Sequence, residues 1–167
     1  LTDRLTEEAV SFIKSHSEGP FFLHLSHHAV HTVLQAPDSL INKYRNKTPG
    51  KYHKNPIYAA MIEKLDDSVD RICQVIKTLG IADRTIVIFY SDNGGSEPVT
   101  DNYPLNGGKG MPYEGGSRVP LIIRWTGKIE GGIRSSVPIT GVDFYPTFVT
   151  LAQGKIPANL DGKDIFT

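Results

Sequence analysis

The chain has 167 residues, 39% hydrophobic and 22% charged, the composition of an ordinary globular protein with enough length for one domain and its core. Eighteen basic side chains balance eighteen acidic ones, so no electrostatic pull toward nucleic acid or an anionic membrane is expected. No apolar run approaches the roughly 20 residues that span a bilayer, and the single cysteine, Cys73, excludes an internal disulfide.

Leu5, Ala9, Phe12 and Ile13 recur at helical spacing, with Thr2 or Asp3 placed to cap the helix. Glu7 and Glu8 make this segment amphipathic, unlike a signal peptide. Pro20 opens Phe21-Phe22-Leu23-His24-Leu25, which reads as a strand. A polar, His-rich, Pro-bounded segment follows from Ser26 to Pro56. The clearest helix comes next: Tyr58, Met61, Ile62, Leu65, Val69, Ile72, Ile76 and Leu79 form one stripe, and Gly80 can close it. Cys73 lies within that helix, with nothing nearby to activate its thiol, and reads as buried and inert.

Thr85 to Tyr90 is β-branched and continuously apolar, as in a strand of a parallel sheet covered on both faces. A Gly-rich loop runs from Ser91 to Gly116. Val119 to Trp125 reads as a third strand, and a short helix is expected from Asp143 to Ala152, capped by Asp143 with Pro146 in its first turn. This alternation predicts an α/β protein with a mostly parallel sheet flanked by helices. Ligand sites in such sheets lie beyond the carboxyl ends of the strands. The His-rich segment after Leu25 and Ser91-Asp92-Asn93-Gly94-Gly95 after Tyr90 both begin at such ends.

Three groups can carry chemistry. Asp92 and Asn93 offer a carboxylate and an amide carbonyl, two hard oxygen donors of the kind that hold Ca²⁺ or Mg²⁺, and the adjacent glycines allow a sharp turn. A plain turn is the competing reading. Among the histidines, His24 reads as packed or hydrogen-bonded within its strand and His27 and His28 as surface groups. His31 lies further along the loop, where it can reach over a site, although taken alone it reads as an ordinary loop histidine. Lys109 sits in Asn106-Gly107-Gly108-Lys109-Gly110, where flanking glycines let it approach an anion, although the spacing is not that of a nucleotide-binding loop. Glu114 and Arg118 read as a structural pair pinning this loop to the next strand.

The ordered set of these segments resembles the type I, formylglycine-dependent sulfatases of the arylsulfatase A-like group, within the alkaline-phosphatase superfamily. The residues that carry it are Pro20 to Leu23, His31-Thr32-Val33-Leu34-Gln35-Ala36-Pro37, Tyr90 to Gly95, Gly108-Lys109 and Tyr113-Glu114-Gly115-Gly116-Ser117-Arg118-Val119-Pro120, continued by Val142 to Thr147 and Leu160-Asp161-Gly162. The resemblance implies an alkaline-phosphatase-like sheet, with residues 1–167 forming the central to C-terminal portion of the catalytic domain. It implies that Asp92 and Asn93 are two of four side-chain metal ligands, for Ca²⁺ or alternatively Mg²⁺. Lys109 would contact a sulfate oxygen, and His31 would bind the sulfate and protonate the leaving alcohol. Substrates would be sulfated small molecules or sulfated carbohydrates, and the compartment periplasmic, secreted or lysosomal.

Val33 stands where the family places proline, and Thr126 interrupts the family's Trp-Pro-Gly. The nucleophile motif, Cys/Ser-x-Pro-Ser/Ala-Arg, does not occur, and Cys73 is followed by Gln-Val-Ile-Lys. The formylglycine is therefore expected upstream of Leu1, and the chain, with no initiator Met, reads as cut at both ends. Alone it is expected to turn over no sulfate ester, to hold metal weakly and to self-associate through a bared sheet edge. A phosphatase or phosphodiesterase of the same superfamily, or an inactive sulfatase remnant, are the alternative readings.

Overall fold

A computed structural model describes residues 1–166; Thr167, the last residue of the expected domain, lies outside them. Two compact units are present, Leu1–Glu130 and Gly131–Thr167. In the first, helix α1 (Thr2–Ser15) begins without a side-chain cap; Asp3 instead reaches Lys64 at 2.6 Å. Helix α3 (Pro56–Thr78) starts with Pro56 in its first turn, where no N–H partner is lost, and Asn55 caps it by accepting from the amides of Ile57 and Tyr58. Gly80, at φ +68°, closes it as expected.

α1 packs on α3, and the core there is Ile13, Ile76 and Ile81, flanked by Phe21, Leu23, Ile72, Val75, Ala82 and Val87. Each of the three isoleucines contributes roughly 1.5–3 kcal/mol by leaving water. Helix α2 (Asp38–Arg45) was not expected from the polar segment that contains it; it docks on α3 through buried Ile41 and an ion pair of 2.7 Å between Lys43 and Glu63. Cys73 is half-buried rather than fully buried.

The expected strand Phe21–Leu25 is extended but joins no ladder among the described residues. Its burial still alternates as a strand's does. Phe21, Leu23, Leu25 and His27 turn inward, and Phe22, His24, Ser26 and His28 are exposed. His24 is thus exposed rather than packed, and it is hydrogen-bonded instead, its ring meeting the Ser26 hydroxyl at 3.3 Å.

Strands β1 (Val87–Tyr90) and β2 (Leu121–Arg124) form the sheet, pairing Val87 with Arg124 and Tyr90 with Leu121. The α/β class holds, but this pair is antiparallel, and the parallel neighbours expected of β1 are not among the described strands. The loop from Ser91 to Pro120 doubles back on itself, so β2 re-enters beside β1 running the other way. Trp125 Nε1 donates to the Asp83 carbonyl at 3.0 Å, fixing the end of β2 to the turn before β1.

In the second unit, a 3-10 turn at Gly141–Asp143 leads into helix α5 (Phe144–Leu151). Asp143 does not cap α5 with its side chain; its carboxylate accepts from the amides of Thr140 at 2.7 Å and Lys163 at 2.9 Å. Buried Thr147 donates to the Asp143 carbonyl at 2.6 Å and accepts from the Ile165 amide at 3.0 Å, tying the following segment to the helix.

Candidate active site

β1 ends at Tyr90 and delivers Asp92 and Asn93 into the loop. The Ser91 hydroxyl donates to the Asn93 carbonyl at 2.9 Å, which sets the turn. Asn93 Nδ2 donates to the Gly94 carbonyl at 3.0 Å, and Oδ1 has no hydrogen-bond partner among the described residues. The Asp92 carboxylate is exposed and makes no hydrogen bond or ion pair among the described residues. Two neighbouring hard oxygen donors with free lone pairs suit Ca²⁺ or Mg²⁺ but fill only the smaller part of a Ca²⁺ shell, which takes about 6–8 oxygens. No cluster of three or more His, Cys, Asp or Glu side chains able to hold a metal occurs among the described residues.

His31 and Lys109, 78 residues apart, meet: His31 Nε2 lies 3.1 Å from Lys109 Nζ. His31 Nδ1 lies 2.7 Å from the Thr32 carbonyl, which has no proton to give, so Nδ1 carries the N–H. Nε2 is then the acceptor, and the Lys109 ammonium donates to it. Both side chains are exposed, and Lys109 is in no ion pair among the described residues. Its positive charge is therefore available to an incoming anion.

The loop is shaped by close backbone contacts. Gly94 N donates to Gly116 O at 3.0 Å, Gly115 N to Asn106 O at 2.8 Å, and Lys109 N to Gly95 O at 3.0 Å. A Cβ on Gly94 would overlap the Gly115 carbonyl, and one on Gly115 would overlap the Gly107 carbonyl. The glycines are thus needed for approach between strands of the loop, beyond the turn first read from Gly94 and Gly95. Glu114 and Arg118 lie in a four-residue helix, α4 (Glu114–Ser117) and its cap, with Arg118 Nη1 3.2 Å from Glu114 Oε1. Both are largely exposed, so the pair adds little stability.

Two contributors escaped the sequence reading. Asn102 holds the loop from within: Oδ1 accepts from Gly95 N at 2.9 Å, and Nδ2 donates to Gly95 O at 3.0 Å and Gly107 O at 3.1 Å. It therefore joins the Asp92-Asn93 turn to the Lys109 loop. His27, taken for a surface group, is half-buried, with Nε2 3.0 Å from the Ser68 hydroxyl; Ser68 also accepts from Thr6 at 2.6 Å. Burial holds its pKa below the ordinary histidine value, and its buried Nδ1 has no partner among the described residues. The inward parity of Phe21, Leu23 and Leu25, extended by one step, reaches His27. Ser68 sits three residues after Leu65 and four before Ile72, on the apolar stripe of α3.

These features define an α/β protein whose loop beyond β1 carries Lys109, in contact with His31 and bonded through its amide to Gly95, two residues past the Asp92-Asn93 pair. The family described as Sulfatase matches residues 1–155, and the chain belongs to it. A sulfatase of Formosa agariphila is 39% identical over 181 residues, covering 99% of this chain and 33% of that protein. Human steryl-sulfatase is 34% identical over 176 residues, covering 99% of this chain and 29% of the relative. The crystal structure of Ps i-CgsB in complex with k-i-k-neocarrahexaose superposes with a TM-score of 0.89 at 37% identity, covering 98% of this chain and 37% of that one. The chain thus spans about a third of the length of these relatives.

Proposed function

We propose that this chain is the part of a sulfuric ester hydrolase that binds and activates the sulfate group, and that the nucleophile is supplied from outside its 167 residues. The observation that carries the reading is the His31–Lys109 contact at 3.1 Å, formed across 78 residues of sequence in a member of the Sulfatase family. Lys109 offers an ammonium, free of carboxylate partners, to a sulfate oxygen, where it offsets charge as the ester S–O bond breaks. His31 is held by Nδ1–H to the Thr32 carbonyl, so Nε2 faces the same space. Once protonated there, Nε2 hands its proton to the departing alcohol oxygen. Asp92 and Asn93 would hold one side of a divalent cation, Ca²⁺ or Mg²⁺, which supplies Lewis-acid stabilisation of the sulfate oxygens. A formylglycine outside this chain would supply the attacking oxygen. Substrates are sulfated carbohydrates or small sulfate esters, and the k-i-k-neocarrahexaose in the solved relative supports the first.

The test uses the full-length protein that contains this chain. Lys109→Ala should lower sulfate release from 4-methylumbelliferyl sulfate by about 10²-fold or more, the scale of losing a donor aimed at developing charge. His31→Ala should slow alkyl sulfates more than aryl sulfates, whose leaving groups need less protonation. Chelation should abolish turnover and Ca²⁺ or Mg²⁺ restore it. Turnover of 4-nitrophenyl phosphate but no sulfate ester would replace this reading with a phosphatase.

A further inference from the structure

Tyr52, in the loop between α2 and α3, stacks on Tyr103, in the loop after β1: the ring centroids are 4.3 Å apart and the planes 16° from parallel. Lys51 Nζ lies 4.9 Å from the centroid of the Tyr52 ring. The two loops are tied again where Thr100 Oγ1 meets His53 Nδ1 at 3.4 Å; within the second loop, the Tyr103 amide donates to Asp101 Oδ1 at 2.7 Å. With one face on Tyr52, Tyr103 is nonetheless 60% exposed, so a flat aromatic surface is held open to solvent. Its position is set by the preceding residue: Asn102 is bonded to Gly95 and Gly107, and Gly95 in turn receives the Lys109 amide. The ring is therefore carried on the same framework as the sulfate-binding lysine.

We propose that the Tyr52–Tyr103 pair is a carbohydrate platform that receives a pyranose ring of a sulfated oligosaccharide extending from the sulfate site. This deepens the sulfatase reading of His31 and Lys109 and rests on it. The C–H face of a sugar suits an open aromatic plane, while its hydroxyls and further sulfates suit water and cations. Exposed Lys51 lies beside the platform and exposed Lys54 follows two residues after Tyr52, and neither is in an ion pair among the described residues. A steroid or simple aryl group needs a concave apolar enclosure. The residues that flank this pair in the sequence, Lys51, His53, Asn102 and Pro104, are mostly polar.

The full-length protein is titrated calorimetrically with k-i-k-neocarrahexaose, a chondroitin sulfate hexasaccharide and a heparin hexasaccharide, in parallel with hydrolysis of 4-methylumbelliferyl sulfate. At least one hexasaccharide should bind the wild type, and Tyr103→Ala should weaken that binding about tenfold, the loss typical of truncating an aromatic anchor. Tyr103→Trp should restore the affinity, because it keeps the stacking face. Hydrolysis of the aryl sulfate should be the same in all three proteins, since it presents no second ring. Failure of all three hexasaccharides to bind, unchanged affinity in Tyr103→Ala, or equal damage to the aryl sulfate reaction would overturn the proposal. Tyr103-dependent binding by a protein that hydrolyses no sulfate ester would keep the platform and remove the sulfatase reading.

Discussion

Replacing Asn102 by alanine removes three hydrogen bonds at once, two to the Gly95 peptide and one to the Gly107 carbonyl. Each is worth about 0.5–1.5 kcal/mol net. Their site is half-buried, so water takes over part of the work, and a combined loss of about 2 kcal/mol is the reasonable expectation. That loss falls on local opening of the loop, so exchange of the Gly95 amide should accelerate roughly 30-fold at 1.4 kcal/mol per decade. The Lys109 amide, bonded to the Gly95 carbonyl, should follow. Sulfate release should fall mainly through a raised KM as Lys109 loses its fixed place. Asn102→Asp sharpens the test. It keeps an acceptor for Gly95 N but sets a carboxylate against two carbonyls, and should be worse than alanine. Hydrogen exchange of Gly95 and Lys109 unchanged in Asn102→Ala would refute the claim that this side chain joins the two halves of the site.

Two further predictions concern the scaffold. Gly94→Ala would drive a Cβ into the Gly115 carbonyl, backbone that cannot swing aside, so the loop must separate; a loss of about 1–3 kcal/mol in denaturant unfolding is expected, with sulfate release falling further than stability. For His27, burial depresses the folded-state pKa below the ordinary 6.5, so the unfolded chain binds the extra proton first. Stability should therefore be complete above that value, decline as pH falls below it, and lose the whole contribution once pH is below the folded pKa. A stability–pH curve of His27→Gln should lack this decline, whereas an identical curve would show that the titrating group lies elsewhere.

How much of this was legible depended on whether the determining contacts are local. α1 and α3 were readable because a helix pattern is written along its own residues, as the stripe from Tyr58 to Leu79 shows. α2 was hidden because eight residues with only Leu40, Ile41 and Tyr44 on one side look polar in sequence; it exists through docking on α3. The strand expected at Phe21–Leu25 had the right alternation, but ladder pairing is made by residues far along a chain and is not encoded in the alternating segment. For the same reason β1 read as parallel while its described neighbour is antiparallel. Asp92, Asn93 and Lys109 stood out by their glycines and His31 by its family motif. Asn102 carries no such flag, since its importance lies in three backbone groups that only folding brings to it.

The alternation from Phe21 to His28 also governs which genetic changes this stretch can absorb. Single substitutions at Phe22, His24 or Ser26 alter only outward-facing positions. Losing or gaining one codon there is a different event: every downstream side chain turns over, His27 leaves Ser68, and an even-numbered residue is forced toward α3. The same slip changes the length of chain that leads to His31. Drift here should proceed by replacement, with the spacing between Phe21 and His31 held fixed even where the letters change.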